Sequence, residues 1–259
     1  MMSMIQAPFQ DFNHFLLIFI RVGVILFILP FFNSRAIPTL SKVGLTLIIA
    51  MLIYPITEKQ LIAVPTTVLG IAHLVAGELM VGMILGLVVQ VFFEGVRIMG
   101  QLVGFQTGFA ITNILDPQSG IQVSILSNMA YLMAMVLFLV LNGHHILLNA
   151  LRESFDIIHV GGLNLNRQML PELVKHTGEM FIIGIKIGAP AIAALIFAKV
   201  IFGLITKLIP QMNIMIVAFP LQIIIGLLFF GISLRLLLIF LEKFLGNLDT
   251  VLNNTMKWI

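Results

Sequence analysis

Cysteine is absent from the chain, which excludes a disulfide framework and any thiolate metal site. Charge is almost as scarce. Only 10% of the 259 residues are charged, where soluble domains carry about a quarter. Nor is there a concentration of the basic residues that exist: the net charge is +3, and the lysines and arginines stand singly without interleaved aromatics. That pattern excludes a nucleic-acid surface. No phosphate-cradling P-loop and no HExxH zinc motif occurs. No Lys or Arg precedes Arg21, and Asp11 stands where a basic region would be, so a cleavable signal peptide is not expected at the N-terminus.

What is abundant is apolar surface. Hydrophobic residues make up 60% of the chain, and the mean hydropathy is +1.13. A water-soluble protein could not cover such a core with so few charges. The surroundings are therefore lipid or other protein. Six apolar blocks follow one another: 15–32, 43–56, 68–93, 123–148, 180–209 and 214–245. They are continuous rather than alternating, so helices are expected and a closed barrel of alternating strands is not. The predicted fold class is all-α: membrane-associated helical hairpins with broken helices, part of a larger assembly.

These blocks are not ordinary spans. Arg21, Glu78, Lys186, Lys199 and Arg235 lie inside apolar runs, and each would cost about 2.5–3.5 kcal/mol at a bilayer centre. Five such charges call for mates, so much of the surface is expected to face protein or a wet passage. Pro30, Pro55, Pro190 and Pro220 fall within or at the ends of the runs, and each removes a backbone donor. Broken helices are tolerated at membrane depth where protein or water satisfies the freed carbonyl. A six-span topology places Arg35 and Lys42 on the opposite side from Arg152, Arg167 and Lys175, so the positive-inside rule selects no orientation.

Candidate chemistry is sparse. His144 and His145 are adjacent, point in different directions on a helix and have no carboxylate at ligand spacing, so a polar pair at a helix end is expected. Gly231-Ile232-Ser233 lacks the full nucleophile-elbow pattern and a base, which favours a packed small residue. Gly100, Gly104 and Gly108 recur every fourth residue, hence on one helix face, where a second backbone can approach closely; a flexible loop is the other reading. The stretch Phe105, Phe109, Ile111, Ile114 and Leu115 is apolar in a polar context and ends in Asp116-Pro117. It reads equally as a gate that closes by dewetting and as a buried connector. Glu78, Arg97 and Arg21 are expected to form buried pairs that fix assembly; a proton relay would use the same residue types. The methionines at 80, 83, 129, 133 and 135 are expected to serve as adaptable packing.

Several local patterns stand in one order: Arg21, Arg35-Ala36-Ile37-Pro38 with Lys42 and Gly44, and Gly77-Glu78-Leu79 with Gly82 and Gly86. Val96-Arg97 leads to Gly100 and Gly104, then Gln106-Thr107-Gly108 and Asp116-Pro117. Asn142-Gly143-His144, Pro210-Gln211-Met212-Asn213 and Phe219-Pro220-Leu221 complete the set. Together they resemble the FliR family of flagellar export proteins, whose virulence-system counterpart is the SctT component, over nearly the whole chain.

The resemblance implies a subunit of a helical protein-export gate, assembled with FliP-like and FliQ-like subunits and working beside FlhB-like and FlhA-like components. Unfolded flagellar proteins would pass through it. It implies no enzyme and no cofactor. The expected place is the bacterial inner membrane at the flagellar basal body, with the gate partly raised toward the periplasm. Residues 1–178 would correspond to a FliP-like region and 179–259 to a FliQ-like hairpin. The family's plug loop falls on 105–118, with Phe109 leading and Phe105, Ile111 and Ile114 assisting. Thr112 stands where a second aromatic is usual, which leaves the sealing side chain open. Lys207 stands where the family commonly has Arg, and Lys199 where a neutral residue is frequent. Arg21, Glu78, Arg97 and Lys199 are carried as assembly charges. A small-solute secondary transporter is the alternative, since broken helices and midplane charges fit that class too; it would show two pseudo-symmetric halves, which the blocks lack.

Overall fold

The computed structural model describes residues 2–32, 37–57, 67–108, 124–163, 166–211 and 213–259. Seven helices carry them: α1 (Met2–Ile28), α2 (Thr39–Ile53), α3 (Val68–Thr107), α4 (Ile125–Val140), α5 (Gly143–Ile157), α6 (Met169–Leu208) and α7 (Ile214–Met256). No strand occurs among the described residues, and the fold is all-α, as the continuous apolar runs require. Four helices are long and apolar enough to cross a membrane, or five if α4 and α5 form one broken span. The chain is a membrane protein.

Most boundaries differ from the apolar blocks, since helices extend into polar flanks (α1 begins at Met2 and α7 runs to Met256), and three differences have a local reason. The third block ends near Phe93, yet α3 continues to Thr107, because the glycine-rich tail of the block is helix packed against other helices. The helix of the fifth block begins at Met169 rather than Met180 and takes in a polar first turn with Glu172, which suits the positive end of a helix dipole. The fourth block is not one helix. It breaks at Asn142, whose φ of 57° is left-handed, and α4 and α5 meet at a bend of 71°.

Of the four prolines in or at the ends of the apolar runs, Pro30 and Pro55 follow α1 and α2, whereas Pro190 and Pro220 are carried inside α6 and α7. At 1.5 Å per residue, α3 and α6, of 40 residues each, and α7, of 43, are about 60 Å long. That is about twice the hydrocarbon thickness of a bilayer.

The chain forms two compact units. The first comprises Met1–Gln90, Asn142–Lys175 and Leu245–Ile259; the second comprises Val91–Leu141 and His176–Phe244. In the first, α1 packs on α2, with Thr46, Ala50 and Ile53 buried. Glycines 82 and 86 of α3 face Val24 and Ile28 of α1, four residues apart on each helix. A Cβ at Gly86 would lie 2.7 Å from Ile28 Cγ2, so the two backbones meet where only hydrogen fits. In the second unit, Phe93 packs edge-on against Tyr131 and Phe138 of α4, and Phe92 stacks on Phe244 of α7. Leu195, Leu237 and Leu241 are fully buried there.

Candidate gate and assembly site

Arg21 is the largest fully buried side chain of the first unit, and Glu78 is 1% exposed. Charges so far from water persist only with partners for every proton and lone pair. The fold supplies them. Arg21 Nε donates to Glu78 Oε2 at 2.5 Å and Nη2 donates to Oε1 at 3.1 Å, the bidentate fork that a guanidinium makes with a carboxylate. Nη1 donates to Ser154 O and Ile158 O, both at 2.9 Å, and Nη2 reaches His159 O at 3.5 Å. The guanidinium therefore caps the carbonyl end of α5, where a helix leaves acceptors unpaired. Gly161 N donates to Glu78 Oε1 at 2.7 Å from a backbone with φ of 75°, a region that glycine enters without strain. The Phe155 ring lies 4.4 Å from the guanidinium carbon. Three helices and the turn after α5 are thus tied to one ion pair.

Arg97 does not join this set. It belongs to the second unit, is partly exposed, and pairs loosely with Glu94 at 3.6 Å within its own helix. Its guanidinium lies 4.0 Å over the Tyr131 ring. Of the three residues expected to form buried pairs, Arg21 and Glu78 do and Arg97 does not, because Arg97 falls on the α3 face turned to α4. Beside it, Ser127 Oγ of α4 donates to Arg97 O at 2.9 Å. A Cβ at Gly100 would press on the Ser127 backbone, 2.7 Å from its N, and one at Gly104 would lie 2.8 Å from Ser124 Cβ. Gly108 stands outside the helical face. It ends α3 with a φ of 90° and packs under the Phe219 ring.

Phe105 is on the last turn of α3 and exposed. Phe109, Ile111 and Ile114 lie outside the described residues.

The family described as Bacterial export proteins, family 1, matches residues 12–248. The chain belongs to this family. It is 30% identical over 220 residues to the flagellar biosynthetic protein FliR of Bacillus subtilis, covering 83% of each chain. It is 27% identical over 233 residues to FliR of Escherichia coli, covering 90% of this chain and 88% of that one. It is 29% identical over 224 residues to FliR of Aquifex aeolicus, covering 86% of each. The resemblance carried by the ordered motifs is thus a family relationship spanning nearly the whole chain.

Within this bacterial export protein, the five charges set in apolar runs divide in two. Arg21 and Glu78 satisfy each other. Lys186, Lys199 and Arg235 are exposed on α6 and α7, and among the described residues none has a carboxylate within ion-pair distance. The demand for outside mates therefore comes from three cations rather than five charges. Most of the exposed apolar side chains around them, such as Phe197, Val200, Ile201 and Leu228, are on the same two helices.

The histidine pair sits at a helix end, in the first turn of α5. Its rings are 4.2 Å apart. No cluster of metal-ligating side chains occurs among the described residues. Ser233 is buried inside α7. Met83, Met129 and Met133 are exposed, so their adaptable side chains are presented outward rather than used in this chain's core. Sequence reasoning missed the carbonyls of Ser154 and Ile158, which carry no letter of their own. The pair Gly161-Gly162 was the available signal for the turn that brings Gly161 N to Glu78.

Proposed function

We propose that this chain is a core subunit of the flagellar type III protein export gate and forms part of the passage through which unfolded flagellar proteins leave. The carrying observation is the family match over residues 12–248 together with relatives named as flagellar biosynthetic protein FliR. The physics supports it. Two helices about 60 Å long, α6 and α7, present broad apolar faces with unmated cations, the surface of a subunit that is finished by neighbours.

On this reading the chain is a channel component with no catalytic role. It assembles in the bacterial inner membrane at the flagellar basal body, partly raised toward the periplasm, with FliP-like and FliQ-like subunits and beside FlhB-like and FlhA-like components. Residues 1–178 act as the FliP-like part and 179–259 as the FliQ-like hairpin. The segment 105–118 closes the passage, with Phe109 in the lead and Phe105, Ile111 and Ile114 beside it. Arg21 and Glu78 serve as a static assembly pair rather than a proton relay, since both oxygens of Glu78 and every guanidinium nitrogen are engaged. Arg97 and Lys199 act from partly or fully exposed positions.

Native mass spectrometry of the chain, expressed with and without FliP-like and FliQ-like neighbours, tests the reading. One copy inside a larger hetero-oligomer, with little stable protein alone, is the expected result. A stable monomer or homodimer that ignores those neighbours would overturn it.

A further inference from the structure

The end of α3 and the start of α4 meet more closely than any ordinary pair of side chains allows. Gly100 and Gly104 are both buried, and each faces the α4 backbone or its first serine: Gly100 against Ser127 and Leu126 O, Gly104 against Ser124. A side-chain hydrogen bond crosses the seam, from Ser127 Oγ to Arg97 O. The Arg97 guanidinium covers the Tyr131 ring one helical turn further along α4. Leu126 and Ala130 are buried in the same stretch. On its other side α3 is held by α7, where a Cβ at Gly226 would collide with the Thr107 methyl, and the Phe219 ring lies under Gly108.

We infer that this seam is a fixed joint: residues 97–108 of α3 and 124–131 of α4 stay together when the passage opens. The inference rests on the gate reading, because the two ends of the seam, Gly108 and Ser124, are the points where the chain leaves for and returns from the segment that carries Phe109, Ile111 and Ile114. Gly100, Gly104, Ser124 and Ser127 are then positioning residues. They fix where the segment is rooted without taking part in closure themselves. The physical reason is the absence of intermediate packings. Backbone seated on backbone has no flexible side chain to take up a slide, so the seam is either closed or fully parted. Parting it would strip Leu126, Ala130 and Tyr131 of their cover and break the Ser127 bond at once.

The chain has no cysteine, so one engineered pair is the only thiol pair within it. Gly104→Cys with Ser124→Cys joins positions whose Cβ atoms would stand 2.8 Å apart, so the two helices must give by several tenths of an ångström to reach the roughly 3.5–4.5 Å of a disulfide. The pair is placed in the assembled complex, with and without Phe109→Ala and Ile111→Ala. Export and ion leak are read before and after oxidation. A fixed joint predicts that oxidation changes export less than twofold, and that the leak from the gate variants persists in the oxidised complex. Export blocked by oxidation and restored by reductant would show that the seam must part, and would overturn the inference while leaving the gate reading intact. Gate variants that leak no more than wild type would instead overturn the gate reading.

Should the double cysteine chain not assemble when reduced, hydrogen exchange on the wild-type complex decides. Amides of 97–107 and 125–131 should keep their protection between the resting complex and one held open by a stalled export substrate. A tenfold or larger loss of protection on opening would refute the joint.

Discussion

Replacing Glu78 by Gln removes one charge and almost no volume. The amide oxygen can still accept from Gly161 N and Arg21 Nη2, but the amide NH2 that replaces Oε2 faces the Arg21 Nε–H, so the change removes the charge and one acceptor together. The Arg21 guanidinium is then left as a buried cation facing only carbonyls and an amide. Losing one partner of a buried pair costs about 3–5 kcal/mol, or about a hundred- to several-thousand-fold in the folded fraction at 1.4 kcal/mol per decade.

Arg21→Met creates the mirror problem. It strands the carboxylate and leaves Ile158 O without the side-chain donor it has here, for a similar or larger cost. Ser154 O fares better, because it also accepts from Ile158 N at 3.0 Å. The double variant carries no buried charge. Its main losses are polar groups left short of a partner, at about 1–3 kcal/mol each, so it should be less damaged than the sum of the singles by several kcal/mol. Denaturant unfolding of the purified complex, with complex yield by native mass spectrometry, measures all four corners of the cycle. Additivity within about 0.5 kcal/mol would refute the pair as a coupled element. Normal assembly of Glu78→Gln with lost export would refute the static role and return Glu78 to proton transfer.

Three further outcomes follow from the packing. Gly86→Ala drives a methyl into Ile28 and should cost about 1–3 kcal/mol in thermal unfolding, with Ile28→Ala restoring only part of it, because the Ile28 Cβ itself stands 2.9 Å from the new methyl; no rescue would mean that α1 and α3 do not meet there. Asn142→Val should lose about 1–2 kcal/mol, the ordinary cost of a left-handed residue with a side chain, while Asn142→Gly stays near wild type; equal stability of the two would remove the sharp turn before α5. Lys199→Glu should leave the chain's own stability within about 0.5 kcal/mol, as for an exposed site, yet lower the yield of assembled complex. An unchanged yield would take Lys199 off the assembly surface.

The all-α membrane class was legible because long unbroken apolar runs admit little else. The pairing of Arg21 with Glu78 was legible in part. Two opposite charges inside apolar blocks must find each other, but the same logic wrongly drew in Arg97, because sequence does not say which face of a long helix a residue takes. The break at Asn142 was hidden for a related reason. Apolar residues continue on both sides, and a single left-handed residue leaves hydropathy unchanged. Gly108 looked like a third member of a helical glycine face and is instead the helix terminator, a role that spacing cannot distinguish. The carbonyl partners of Arg21 belong to the backbone and were invisible in principle.

The length of α3, α6 and α7 has a consequence for how much folded protein a cell can hold. Even at a tilt of about 40°, the steep end of what is seen, a hydrocarbon slab of about 30 Å accommodates only about 39 Å of helix. About 20 Å of each of these helices therefore projects beyond the lipid, and in α6 and α7 the apolar runs themselves, 180–209 and 214–245, are longer than the slab can take. The apolar residues left outside avoid water only while something binds them, so the folded population obeys mass action. Neighbours at a hundred times their dissociation constant add about 2.7 kcal/mol to its stability, and a shortage of neighbours withdraws it. On the gate reading, subunit supply, rather than the sequence alone, sets how stable this chain is.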